Sequence, residues 1–311
     1  MAILEVKHLT KDYGNKRGVF DISFDVSKGE VYGFLGPNGA GKSTTIRHLM
    51  GFSKPDKGEC RIFNQECFTH YYENLKSVGY IPGEIALPQG LNGYEFLDMM
   101  QKMQKKNNQD LLNKYISYFE LDKASLKMNT KHMSLGIKRK LAIVTAFSSN
   151  PDVLILDEPT SGLDPLMQEK FIKLIKEEKS QGKTILLSSH IFSEVDATCD
   201  RIGIIKDGKI VSQFVADNLR HADKKNYRIH FANQNSYKEF KKNINIYPFI
   251  SIIKFHDQTN VAFISCVDKD INALITSLSN YDIESFSTSH ETLQDYFMSF
   301  YKEDESFKGA L

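Results

Sequence analysis

The sequence is poor in cysteine, in long apolar runs and in any surplus of one charge, and each shortage removes a class of function. Four cysteines occur, at Cys60, Cys67, Cys199 and Cys266. Cys60 and Cys67 stand seven residues apart, too loose for a zinc knuckle, and no second cluster completes a metal site. Scattered thiols of this kind fit a reduced, intracellular chain that keeps them buried. No stretch approaches the ~20 apolar residues that a membrane span needs. The start, "MAILEVKHLTKDYG", lacks the apolar core of a signal peptide. The sequence therefore reads as a soluble protein that reaches a membrane only through another chain. Lys plus Arg total 40 against 39 for Asp plus Glu, a net charge of +1, which leaves no electrostatic footprint for nucleic acid. Internal repeats and low-complexity linkers are absent as well.

What is present fits one large domain and one small one, since 311 residues allow each to bury a core. "AILEVKHL" and "GVFDISFDVSKGEVYGFLG" alternate apolar and polar residues, which predicts half-buried strands. "VLILD" (153–157) and "TILLSSH" (184–190) are short apolar runs that predict fully buried parallel strands. Residues 92–125 read as a helical stretch, opened by a capping box at Asn92 and Glu95. Leu111, Leu112, Tyr115, Ile116 and Phe119 form its apolar stripe, and Met99, Met100 and Met103 are expected as core filler. Past residue 224 the order becomes β-α-β-β-α-β, a ferredoxin-like pattern, followed by the amphipathic helix "ETLQDYFMSFY".

The phosphate chemistry is the most specific signal. "GPNGAGKST", residues 36–44, matches G-x-x-x-x-G-K-[ST] in full, after an apolar strand ("VYGFL") and before a helix ("TTIRHLM"), the context such a match requires. Gly36, Gly39 and Gly41 allow backbone N–H groups to curl around a polyphosphate, with Pro37, Asn38 and Ala40 completing the loop. The next helix turns its positive end toward the same anion. Lys42 neutralises phosphate charge, the Ser43 hydroxyl is placed to ligate Mg²⁺, and Thr44 closes the motif. The strand "VLILDE" then delivers Asp157 to the metal and Glu158 to an attacking water, as general base.

"GPNGAGKST", "LDEPTSGLDP" and "TILLSSH", in this order, resemble the ATPase subunit of an ATP-binding cassette (ABC) transporter, over roughly residues 2–220. The resemblance implies an α/β, P-loop NTPase nucleotide-binding domain over 1–220, with a helical subdomain at about 90–150, while the β-α-β-β-α-β order beyond it predicts a small α+β ferredoxin-like domain over 221–311. It implies a Mg²⁺-dependent ATPase in which two such domains sandwich two ATP molecules head to tail. Tyr13 would then stack on adenine, and His190 would sense the γ-phosphate beside Glu158. Ser134 and Gly136 would cap the nucleotide of the partner subunit, and Asp164 would contact that subunit.

Two departures from the family pattern stand out. In "MSLGIK" (133–138), Leu135 and Ile137 replace a glycine and a glutamine. A serine hydroxyl and helix N-terminal amides still suit a γ-phosphate, while Lys138 and Arg139 in the first turn oppose the macrodipole unless an anion or acid lies near. In "GYIPGEIALPQG" (79–90), Gly83 and Glu84 stand where a glutamine is usual, and Glu84 takes the expected role near the metal; Gln89 lies too late. Loops and chain ends of this type resemble those of ABC-2 drug, antibiotic and peptide exporter ATPases. The reading that follows is a transport ATPase forming a homodimer, held on the cytoplasmic face of the cell membrane by a separate permease subunit, with no nucleic-acid partner. A regulatory cassette protein with weak turnover is the alternative. Cassette ATPases acting on ribosomes or DNA usually carry fused cassettes, coiled-coil arms or zinc cysteines, and this sequence has none.

Overall fold

Val31–Leu35, Val153–Asp157 and Thr184–Ser189 are buried at every position, the pattern of strands covered on both faces. The computed structural model describes residues 1–105, 108–220, 224–289 and 293–300. It divides into two units, Met1–Ala216 and Asp217–Leu311. In the first, a six-stranded sheet runs in the order Lys209–Val215, Arg201–Lys206, Val31–Leu35, Thr184–Ser189, Val153–Asp157 and Val78–Ile81. Its pairings are parallel except at the edge where Lys209–Val215 meets Arg201–Lys206. Leu35 lies opposite Ser189, and Ser188 opposite Asp157. Three central strands thus end side by side, and ligands of open α/β sheets bind at such carboxyl ends.

A second, antiparallel sheet of four strands (Gly18–Ser27, Ala2–Asp12, Lys57–Ile62, Gln65–Glu66) belongs to the same unit. Alternation holds from Ile22 to Val26 and is broken before it by a register shift; Val19, Ile22, Phe24 and Val26 point into a core that also takes Tyr32, Phe34, Ile46 and Ile155. All four cysteines are buried.

The helical stretch is interrupted. Gly93–Gln104, Gln109–Tyr118 and Lys123–Lys127 are separate helices. Lys105 and Glu120 adopt left-handed backbone (both φ 52°), and Asn108 and Asp122 cap the helices that follow, so each break carries its own stop and start signal. The box at Asn92 is present in both directions: Glu95 N donates to Asn92 Oδ1 at 3.0 Å, and Asn92 N to Glu95 Oε2 at 2.8 Å. Leu112, Tyr115 and Phe119 are buried. Met103, expected as core filler, is instead 69% exposed, because the buried face of Gly93–Gln104 runs through Gly93, Phe96, Leu97 and Gln101. The last helix of this region, Leu135–Ser148, is buried from Leu141 onward. Tyr115 ties the region to helix Pro165–Ser180 by donating to Glu178 Oε1 at 2.8 Å.

The second unit holds a four-stranded antiparallel sheet in the order Ile250–His256, Val261–Val267, Lys224–Phe231, Ile283–Ser289. Helices Gln234–Asn243 and Ile271–Leu278 supply Tyr237, Phe240, Leu274 and Leu278 to the core it shares with Ile229, Phe231 and Ile264. The terminal helix is described over Leu293–Ser299; Glu291, Thr292 and Tyr301, within the expected segment, lie outside the described residues.

Candidate active site

The loop after Val31–Leu35 needs glycine at two places for distinct reasons. Gly41 caps helix Lys42–Leu49 with φ 112°, in the left-handed region. A Cβ on Gly36 would come to 2.6 Å from the Ile205 carbonyl oxygen, so no larger residue fits without moving backbone. Pro37, Asn38, Gly39, Gly41, Lys42, Ser43, Thr44 and Glu158 line a cavity of about 150 Å³. The helix N-terminus and the loop amides give it a positive lining suited to an anion. Ala40 is buried behind the loop, its amide donating to Pro37 O at 3.2 Å.

Lys42 is 4% exposed. Its Nζ donates to Gly36 O at 2.6 Å and Pro37 O at 3.2 Å, and it forms an ion pair with Glu158 Oε1 at 2.9 Å. The other carboxylate oxygen, Glu158 Oε2, is paired with His190 Nδ1. Glu158 follows strand Val153–Asp157 and takes φ 49°. This left-handed step lifts it out of the pleat, which would otherwise send neighbouring side chains to opposite faces. Its amide donates to Ser188 O at 3.1 Å. Asp157 remains 2% exposed. Ser188 Oγ donates to its Oδ1, and Gly83 lies against its Oδ2, where a Cβ would approach to 3.0 Å.

Tyr13 is exposed, near the Lys11 ammonium at 6.0 Å from its ring centroid, and neither it nor Glu84 lines the cavity. Glu84 is also exposed. Ser134 caps helix Leu135–Ser148, its Oγ accepting from Ile137 N at 3.3 Å. Leu135, 51% exposed, packs over Gly162, and Gly136 faces the Gly162 carbonyl, which a Cβ would approach to 3.0 Å. Asp164 is exposed and caps helix Pro165–Ser180, accepting from Met167 N at 3.0 Å.

Two residues that sequence reasoning passed over, Ser188 and Glu194, and one that it noted only for its charge, Arg139, complete the surroundings. Ser188 bridges the backbone of Glu158 and the side chain of Asp157; a polar pair, Ser188–Ser189, inside an otherwise apolar strand was the available signal. Glu194 is buried, with Ser189 Oγ donating to its Oε2 and Thr160 hydrogen-bonded to its carboxyl. Burial raises its pKa to about 7 against the pull of those two hydroxyls. The Arg139 guanidinium donates to Ser161 O, Pro82 O and Gly83 O. It is buried, and burial lowers its pKa while Asp157 and Glu158 oppose that shift.

Comparison with known proteins agrees with this geometry. Residues 19–161 match the family model described as "ABC transporter". A bacitracin transport ATP-binding protein of Bacillus licheniformis is 31% identical over 301 residues, covering 96% of each chain. A lantibiotic transport ATP-binding protein of Streptococcus pyogenes is 35% identical over 212 residues, 67% of this chain and 89% of that one. Among solved structures, an ATP-binding subunit of an ABC transporter is 32% identical with a TM-score of 0.64, covering 71% of this chain and 92% of that one. A dimeric bacterial ABC transporter cassette, 23% identical with a TM-score of 0.62 over 68% of this chain and 98% of its own, shares the fold. Similarity that runs nearly end to end in both chains makes this protein a member of the ABC transporter family, among its ATP-binding subunits.

Proposed function

We propose that this chain hydrolyses ATP to drive export of an antibiotic or peptide through a separate membrane subunit, working as a pair of identical cassettes. The observation that carries the proposal is the chain of contacts Lys42–Glu158–His190 beside the phosphate loop. The names of the bacitracin and lantibiotic relatives support the substrate class. In this proposal a separate membrane subunit supplies the transport path; among the described residues no helix is long and apolar enough to cross a membrane.

Magnesium fits the donors present. Ser43 Oγ and the Asp157 carboxylate are hard oxygen ligands of the kind Mg²⁺ takes together with phosphate oxygens and water, and the glycine at 83 keeps Asp157 Oδ2 clear of a Cβ. When bound there, the ion supplies charge neutralisation to the β- and γ-phosphates. The chain's own residues do the rest. Loop amides 36–44 and Lys42 bind the phosphates, which draws the Lys42 ammonium off Glu158. The freed Glu158 carboxylate accepts a proton from water as its oxygen attacks the γ-phosphorus and the bond to the β–γ bridging oxygen breaks, giving ADP and phosphate. His190, on the second oxygen, holds the carboxylate in place. Ser134 and Gly136 serve the nucleotide of the second cassette.

Glu158→Gln tests the reading. ATP affinity should be kept while turnover falls on the order of 10²–10⁴-fold. Unchanged turnover removes Glu158 from the mechanism, and a wild-type protein without ATPase activity, alone or with its membrane partner, leaves the weak-turnover regulator as the better reading.

A further inference from the structure

Arg139 heads the large side chains that are fully buried, at 1% exposure, and its guanidinium is spent on backbone. Nε donates to Ser161 O at 3.0 Å, Nη1 to Pro82 O at 2.8 Å and Nη2 to Gly83 O at 2.8 Å. These carbonyls belong to two loops distant in sequence. One leads from strand Val78–Ile81 into Glu84. The other is the turn after Glu158, closed by Ser161 N donating to Glu158 O at 3.1 Å. Burying a guanidinium carries a large desolvation cost, and filling the same volume with an apolar residue is often no worse for stability. What an apolar residue lacks is the planar fork that grips several carbonyls at fixed angles.

The position of that fork matters. Gly83, held by Nη2, is the residue that packs against Asp157 Oδ2. Ser161, held by Nε, is hydrogen-bonded back to Glu158. Arg139 itself stands five residues after Ser134, the cap of the same helix. A displacement of this helix start therefore pulls on the backbone beside both carboxylates.

We infer that Arg139 is a positioning residue for hydrolysis: its guanidinium clamps the Pro82–Gly83 and Glu158–Ser161 backbones to helix Leu135–Ser148, so that the site for the second nucleotide and the hydrolytic carboxylate move as one body. This deepens the ATPase reading and rests on it. In the full-length chain, Arg139→Lys keeps a charge but loses the fork, and Arg139→Met keeps approximate volume alone.

Turnover should fall on the order of 10-fold in the lysine variant and 100-fold in the methionine variant, with KM for ATP within about threefold of wild type, as expected when distant misplacement disturbs alignment. Hydrogen exchange without nucleotide should speed up in residues 82–84 and 158–161 of Arg139→Lys and stay unchanged at 36–44. A purely structural role would lower the melting temperature while leaving kcat intact well below it, and that result, or unaltered exchange in both segments, overturns the inference. Should Arg139→Met fail to fold, the lysine variant decides. Should the wild type show no turnover, the ATPase reading fails while the exchange measurement still judges the clamp.

Discussion

Lys42 Nζ stands 2.9 Å from Glu158 Oε1, on the carboxylate oxygen that His190 leaves free. The cation and the carboxylate to which the proposal gives phosphate binding and proton acceptance neutralise each other where both are largely buried and an uncompensated charge would be costly. On the proposed mechanism this pairing also holds the candidate base inactive. A carboxylate paired on both oxygens is a poor acceptor for a proton from water, and only a competing anion releases it. Nucleotide binding and activation of the base then become one event.

That exchange sets the expected phenotype of Lys42→Ala. Losing a charge-assisted contact to phosphate costs ~1.5–3 kcal/mol, which corresponds to a roughly 10- to 150-fold rise in the dissociation constant for ATP. Titration with a fluorescent nucleotide measures it, and retained affinity would contradict the role given to Lys42.

Glu194 predicts a pH dependence of stability. With its folded pKa at about 7 and an ordinary carboxyl near 4.3, the folded state binds the extra proton between those values. Stability from this group is full below about pH 4.3 and is lost as pH rises through about 7. Glu194→Gln removes the titration, so the variant should gain up to a few kcal/mol on wild type at pH 8 and nothing at pH 4. Melting curves of both proteins across that range provide the check; a constant offset between them would show that Glu194 is not buried as a neutral acid.

Local rules carried the sequence reading where the physics was local. The phosphate loop, the apolar strand before Asp157 and the box at Asn92 each depend on residues within a turn or two of one another, and each is legible. Other features depended on the tertiary structure. Nothing near Arg139 in sequence says that its donors end on Pro82 and Gly83, 57 and 56 residues away, so a charged residue in a first turn reads as a dipole problem. Met103 failed for a related reason: which stripe of an amphipathic helix faces the core depends on the neighbour it packs against, and Met103 lies off the stripe of Gly93, Phe96, Leu97 and Gln101. The one long helical stretch read over 92–125 divided at Lys105 and Glu120, whose left-handed backbone is not a glycine signal and so gives little warning.

Gly36→Ala should abolish nucleotide binding without touching any charged group. The added Cβ would sit 2.6 Å from Ile205 O and 2.7 Å from Ile205 Cγ2, and backbone of a buried strand is not free to withdraw. The loop must shift, and the amides that face the phosphates shift with it. ATP affinity should fall at least as far as in Lys42→Ala, while circular dichroism stays close to wild type. Normal binding by this variant would mean that the loop is softer than its packing indicates.

The final prediction concerns the variant signature, "MSLGIK". If Ser134 and Gly136 cap a nucleotide held by a second copy, they matter only when two cassettes meet. A monomer should bind ATP through residues 36–44 equally well with and without Ser134→Arg. In the slowed Glu158→Gln background, ATP should produce a dimer on size-exclusion chromatography, and adding Ser134→Arg should abolish it, since a bulky cation displaces the hydroxyl. Ser134 also caps its helix through Ile137 N, and losing such a cap costs roughly 1 kcal/mol, so a melting measurement on the monomer separates a destabilised helix from a lost contact. Leu135→Gly sharpens the test. Leu135 lies over Gly162, close to the capping Asp164, so its side chain shields the turn after Glu158 as well as filling the place where backbone would approach a phosphate. Removing it opens that approach but uncovers the turn and adds flexibility at the first helical residue. A dimer that tightens in Leu135→Gly would mean that close approach dominates; one that weakens would mean that the leucine has become part of how this cassette supports its turn. Survival of the dimer in Glu158→Gln/Ser134→Arg would reduce Ser134 to the start of a helix.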